Sequence, residues 1–325
     1  MAVTTKHLID PQLLPVLDMF PPVDLDDASL ATLRVSISDM LAGMAAAPLP
    51  PGLARSEIHM PGPAGAPDVR ALLYRPNQGD DPKPAVLHIH GGGYVMGTPE
   101  MNDPANRMAA LALGCVILSV DYRLAPETPF PGPVEDCYAA LLWLWRNAET
   151  LGVDRQRIAI VGESAGGGLA AALALLARDR GEVKLAFQQL IAPMIDDRTV
   201  VEGDVNPHVG EFVWRPEANA FGWRALLGGD PGGPDVSPYA AAARAESLAE
   251  LPPTYIGVGA LDLFLEENID YARRLLRAGV PVEFHVFPGA FHGFELGGMI
   301  GADIAVTANA TALAALRRAL EKPSV

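Results

Sequence analysis

From about residue 84 onward, short apolar runs rich in β-branched residues alternate with longer stretches of helical period. Residues 84–90 and 114–120 read as buried strands, and 157–162, 187–192, 254–259 and 282–287 continue the series. Between them the apolar positions recur with helical spacing over 101–113, 134–148, 165–180, 264–278 and 304–320. Strands alternating with helices of this length predict an α/β chain, a mostly parallel sheet with helices on both faces. Upstream, residues 54–59 and 69–75 read as a hairpin-like pair of antiparallel edge strands.

Two segments break the alternation. Residues 1–50 are helical and punctuated by proline, with residues 28–44 amphipathic. Residues 199–234 carry Trp214, Trp223 and His208 and interrupt the step from one sheet strand to the next. A long aromatic insertion at that place suits a lid better than a linker. The expected organisation is therefore residues 1–50 as an N-terminal part of a cap, 51–198 and 235–325 as two parts of one core, and 199–234 as the cap insertion.

Composition narrows the partners. The 325 residues include 32 glycines and 30 prolines, scattered as turns rather than gathered in a tail. With 24 basic against 39 acidic residues the net charge is −15, and no basic cluster interrupts it, which argues against nucleic acid. The most apolar stretch, residues 165–177, is shorter than the roughly 18 residues a membrane span needs. The start, Met1 to His7, lacks a charged-then-apolar leader, and the two cysteines, Cys115 and Cys137, form no framework. A cytoplasmic location without cofactor or metal is expected.

The strand ending at Val161 runs into Gly162-Glu163-Ser164-Ala165-Gly166 and then a helix, the G-x-S-x-G pattern in the strand–turn–helix setting that gives it meaning. Such a turn projects a serine hydroxyl beyond the strand end, beside a helix N-terminus that favours developing negative charge. A serine nucleophile needs a base, and the base an orienting acid. Of the seven histidines, His292 follows the last strand in a loop at its carboxyl end, where open α/β sheets place their sites. His88 and His285 lie inside predicted strands and read as packing residues. For the acid, Asp262 and the pair Asp196-Asp197 both follow strands and both preserve the order Ser–Asp–His. Asp262 is favoured because it lies one helix and one strand before His292, so their loops are neighbours. Glu266 and Glu267 read as acidic complements to the N-terminus of the next helix. His90-Gly91-Gly92-Gly93-Tyr94 ends another strand, where residues without side chains let backbone N–H groups turn inward toward an oxyanion. A phosphate loop is the alternative, but neither G-K-[ST] nor a ribose-binding acid follows.

Together, His90-Gly-Gly-Gly93, Asp121-Tyr-Arg-Leu-Ala-Pro-Glu127, Gly162-Glu-Ser-Ala-Gly-Gly167, Asp262 with Glu266-Glu267, and His292-Gly-Phe294 resemble the hormone-sensitive-lipase-like group of α/β-hydrolase carboxylesterases (family IV). Ser237-Pro-Tyr239 and Leu251-Pro-Pro253 are similar too, so the resemblance spans about residues 50–295. It implies an α/β-hydrolase fold with a helical cap and a Ser164–His292–Asp262 triad. It also implies oxyanion donors from Gly92, Gly93 and Ala165, and a structural role for residues 121–127 and for His90. The expected reaction is hydrolysis of short-chain esters of small molecules through an acyl-enzyme. A possible homodimer is implied as well. Tyr94, His208, Phe212 and Trp214 are candidates for the substrate pocket. A deacetylase, lactonase or amidase would share the machinery, and a non-catalytic binding protein would be expected to lack part of the triad. Two residues depart from the usual pattern: Glu163 stands where the group has Asp or Thr, and Leu263 follows Asp262 where it has Pro.

Overall fold

The computed structural model describes residues 4–20, 24–45, 47–77, 79, 81–201 and 206–321; residues 1–3 of the N-terminal region and 202–205 of the insertion lie outside them. Eight strands form one sheet: β1 (Leu53–Met60), β2 (Val69–Pro76), β3 (Lys83–Ile89), β4 (Val116–Asp121), β5 (Val153–Glu163), β6 (Phe187–Ile191), β7 (Thr254–Gly259) and β8 (Val282–Phe287). Their order is β1-β2-β4-β3-β5-β6-β7-β8. From β4 to β8 every pairing is parallel, whereas β1–β2 and β2–β4 are antiparallel. This corrects the expectation of two edge strands in one respect. β1 is an edge, but β2 continues the sheet through Leu73↔Leu118 and four further pairs with β4, which its run of buried positions requires.

The long helices are α1 (Asp27–Ala45), α2 (Asp103–Leu113), α3 (Gly132–Arg146), α4 (Ala165–Arg180), α5 (Pro216–Leu227), α6 (Leu265–Arg277) and α7 (Asp303–Leu320). Helices α3, α4 and α6 cover one face of the sheet, where Leu87, Ile160, Leu141, Leu173 and Leu275 share one buried cluster. Helices α2 and α7 cover the other, with Val86, Ile117, Ala110 and Leu316. The two cysteines are free and buried, one in each layer. α4 is buried nearly throughout, which explains why its sequence is apolar on all sides rather than on one stripe. Among the described residues no single helix is long and apolar enough to cross a membrane.

Two further pieces gather at the carboxyl ends of the strands. The segment around Leu13 and Val16 packs on Phe287, Phe291, Phe294 and Ala305. Helix α1 meets α5 through Leu30, Val95, Ala125 and Phe221. The N-terminal segment and the insertion are also tied directly, by Thr4 Oγ1 donating to Glu211 at 2.9 Å and by an Arg215–Asp24 ion pair at 2.8 Å.

Candidate active site

Ser164 sits between the last residue of β5 and the first of α4, with φ 55° and ψ −122°. A non-glycine residue there is strained and persists only where its surroundings over-determine it. The surroundings do so here. The Ser164 N–H donates to the Ile191 carbonyl at 2.8 Å, and the Ser164 carbonyl accepts from Gly168 and Met194, both at 3.0 Å. The result aims the hydroxyl at the next element. Ser164 Oγ lies 2.9 Å from His292 Nε2, and His292 Nδ1 lies 2.8 Å from Asp262 Oδ2. With Nδ1–H donating to the carboxylate, Nε2 is left to accept the serine proton.

The loops that carry the acid and the base are stitched together. Ala260 N–H donates to the Phe287 carbonyl and Leu261 N–H to the Ala290 carbonyl, each at 2.9 Å. Asp262 Oδ1 accepts from the Phe264 N–H at 2.9 Å, which fixes the carboxylate, and the Phe264 ring meets the imidazole edge-on at 5.2 Å. The competing aspartates are engaged elsewhere. Asp197 is fully buried and takes Arg244 at 2.7 and 2.8 Å and the Gly232 N–H at 2.6 Å, while Asp196 pairs with Arg198. Burial works to lower the pKa of His292, but the Asp262 charge, its hydrogen bond and the Glu295 charge outweigh it and hold the imidazole above its ordinary 6.5. Glu295, in the turn just beyond, is pushed up to about 7 by burial, with His292 opposing the rise and Asp262 and Glu163 adding to it.

The glycine loop follows β3. Gly92 has φ 118° and Gly93 φ 61°; a Cβ on Gly93 would come 2.2 Å from the Trp214 ring, and one on Gly92 2.1 Å from the Met96 carbonyl oxygen. Both positions exclude a side chain twice over, by conformation and by space. The turn's own hydrogen bonds use the N–H groups of Val95 and Met96, which donate to the Gly92 carbonyl at 3.1 and 3.0 Å. Residues 121–127 brace this loop. The Tyr122 hydroxyl donates to the His90 carbonyl at 3.0 Å and its ring stacks on His90 at 4.3 Å; the Ala125 N–H donates to the Tyr94 carbonyl at 3.0 Å. Arg34 of α1 closes the brace, donating to the carbonyls of Val95 and Ala125 at 2.7 and 2.8 Å and pairing with Glu127. His90 is fully enclosed, and burial lowers it to about 4, so it stays neutral beneath the loop.

The four pocket candidates separate. Trp214 lies over Gly93 with its ring 6.4 Å from that of His292, and half-buried Phe212 packs on Phe291 at 6.1 Å. Tyr94 needs correcting: it is fully buried against Trp223, and its hydroxyl donates to the Met194 carbonyl at 2.7 Å, so it supports the loop from behind. His208 is exposed at the surface of the insertion, its backbone donating to Asn206. Glu267 lies in the first turn of α6, as expected, and has a further role. Its carboxyl is buried and receives the N–H of Ile195 at 2.7 Å, the N–H of Asp196 and the Thr199 hydroxyl, so it ties α6 to the turn after β6. A cavity of about 410 Å³ lies between the start of α1, α5 and Pro126, lined by Leu25, Phe221, Glu217 and Arg224, apart from Ser164 and His292.

Residues 86–296 match the alpha/beta hydrolase fold family. The chain is 37% identical to Esterase LipI of Mycobacterium tuberculosis over 295 residues, covering 89% of this chain and 88% of that protein. It is 34% identical to Carboxylesterase NlhH of the same organism, covering 96% of each. Among solved structures, a Bacterial Heroin Esterase superposes with a TM-score of 0.89 at 44% identity, over 98% of this chain and 100% of the other.

Proposed function

Because the chain belongs to the alpha/beta hydrolase fold family and is a carboxylesterase, we propose that it cleaves its ester with Ser164 as nucleophile, His292 as base and Asp262 as the acid that orients the imidazole. The observation that carries this reading is the line of hydrogen bonds, 2.9 and 2.8 Å, joining residues from the ends of three strands. Ser164 attacks the carbonyl carbon while His292 Nε2 takes its proton, and the imidazolium is stabilised by Asp262. The N–H groups of Gly92, Gly93 and Ala165 receive the charge that develops on the carbonyl oxygen; Ala165 opens α4, whose first N–H groups have no partner within the helix. Collapse of the tetrahedral intermediate expels the alcohol, which takes the proton from His292. Water activated by the same imidazole then releases the acid from Ser164.

The substrates are esters of small molecules with short acyl chains. Trp214 and Phe212 border the acyl or alcohol side, and an apolar wall of this kind discriminates by about 1–3 kcal/mol per methylene. The reading includes a cytoplasmic location and a homodimer; light scattering that returns the mass of one chain removes the latter.

Hydrolysis of p-nitrophenyl esters of increasing acyl length, by the wild type and by Ser164→Ala, tests the proposal. The expected result is best turnover on the shortest chains and a loss of about 10⁶-fold in kcat on losing the serine. Turnover that persists in purified Ser164→Ala would sink the serine mechanism, and a preference for long chains would sink the assignment of substrate class.

A further inference from the structure

A second chain of hydroxyl, imidazole and carboxylate lies beneath the nucleophile, and the cycle above does not use it. His88 on β3 is 2% exposed; its register partners are Ser119 on β4 and Val161 on β5, two residues before Glu163. Because side chains alternate along a strand, Glu163 projects from the same face as Val161, His88 and Ser119. Ser119 Oγ is 2.9 Å from His88 Nδ1, and the two Glu163 carboxylate oxygens are 3.2 and 3.1 Å from Nε2. In a neutral imidazole one polarity satisfies both ends: the Ser119 hydroxyl donates to Nδ1 and Nε2–H donates to Glu163. These are the residue types of a hydrolytic triad. Ser119 is fully buried, however, so no ester reaches it, and this chain is not a second catalytic site.

Its position gives it meaning. Glu163 precedes Ser164 directly, and its side chain is 32% exposed. The strained backbone of Ser164 is held from one side by Ile191, Gly168 and Met194; His88 supplies the hold on the residue before it. A carboxylate released from His88 would be free to accept from the Ser164 hydroxyl or to pair with the His292 imidazolium. Either contact takes the nucleophile out of line with its base.

We propose that His88 and Glu163, with Ser119 fixing the imidazole, are positioning residues for Ser164: the pair holds the Glu163 carboxylate down on β3 and so keeps Ser164 aligned with His292. The proposal rests on Ser164 as nucleophile, and the Ser164→Ala experiment above tests that premise separately.

The test measures kcat and KM on p-nitrophenyl acetate alongside thermal unfolding. His88→Leu removes the donor and is expected to lower kcat about 10–100-fold, the scale of a small misplacement of reacting groups, with KM little changed. His88→Gln keeps a donor and retains most of the rate. Adding Glu163→Gln to His88→Leu recovers about tenfold or more, since no free charge is left to misplace; filling of the core alone gives no such recovery. A folded His88→Leu protein with wild-type kcat overturns the proposal, as does a double variant no faster than the single. Should His88→Leu not fold, Ser119→Ala decides, because it deletes one hydroxyl only. A kcat lowered about threefold and restored by Glu163→Gln supports the relay, and an unchanged kcat overturns it.

Discussion

Asp197 and Asp262 are both enclosed carboxylates in the segments that follow neighbouring strands, and their partners decide what the loss of each does. Asp262 touches an imidazole that must hold one tautomer; Asp197 touches a guanidinium and a backbone N–H. Asp262→Asn is expected to lower kcat by about 10⁴-fold with the fold intact. Asp197→Asn is expected to leave kcat within a few fold but to destabilise the protein by about 3–5 kcal/mol, as breaking one side of a buried pair does. Steady-state kinetics and denaturant unfolding of the two variants read these apart, and a reversal would mean the wrong aspartate was chosen. The pH profile belongs to the same scale. His292 must be neutral to act as base, and its neighbours hold it above 6.5, so the acid limb of kcat/KM is expected to have its midpoint above that value. Glu295→Gln removes one supporting charge and should move the limb to lower pH. It should also raise Tm well above pH 7 but not below 4.5: the unfolded carboxyl ionises near 4.5 and the folded one near 7, so its cost to the fold grows between those values and vanishes below them. A limb that stays in place would show that Glu295 does not reach His292.

At the level of elements, the glycine loop shows how a turn becomes a donor site. Gly93→Ala asks for φ 61° from a residue with a Cβ and drives it into Trp214, so the loop must shift. The expected cost is about 10²–10³ in kcat, the effect of losing one oxyanion donor; an alanine variant with full turnover would place the oxyanion elsewhere. Glu267 gives a stability test. Burial pushes its carboxyl well up, with Thr199 and the Ile195 and Asp196 N–H groups opposing. Glu267→Gln keeps an acceptor for Ile195 and should be tolerated, whereas Glu267→Ala orphans a buried N–H and should cost about 1–3 kcal/mol by thermal unfolding. Much of this architecture was legible beforehand. β7 and α4 lie where their apolar patterns end, because both faces of a central strand and all sides of a buried helix leave a continuous apolar record. The candidates Ser164, Asp262 and His292 could be singled out because each closes or follows a strand in a short motif. Less was legible where the meaning of a residue depends on partners far along the chain. Glu267 looked like a helix-end charge, since the sequence does not show that Ile195 lies against it. His88 looked like packing, since only the register brings Ser119 and Glu163 to its two nitrogens. The hydrogen bonds of Arg34 cross more than ninety residues of chain to Ala125 and Glu127 and leave no local signal at all.

Seen whole, the molecule draws its candidate triad from the ends of β5, β7 and β8, so the site exists only once β5 to β8 have paired in order. The charge of −15 surrounds that site without forming it. Its effect is long-range, falling off within about 8 Å at physiological salt, and it disfavours anionic esters during approach rather than at the serine. The docking of Leu13 and Val16 on Phe291, Phe294 and Ala305 has a consequence in time rather than in space. During synthesis this segment emerges well before the residues that bury it, and until they arrive two leucine- and valine-sized faces must be kept from other partners. Completion of the fold therefore waits on the joining of an early segment to a late one, a closure over most of the chain whose entropy must be met before the contact stabilises anything. An enzyme arranged this way is exposed to aggregation mainly while it is unfinished, and its yield on refolding should fall with protein concentration more steeply than its finished stability would suggest.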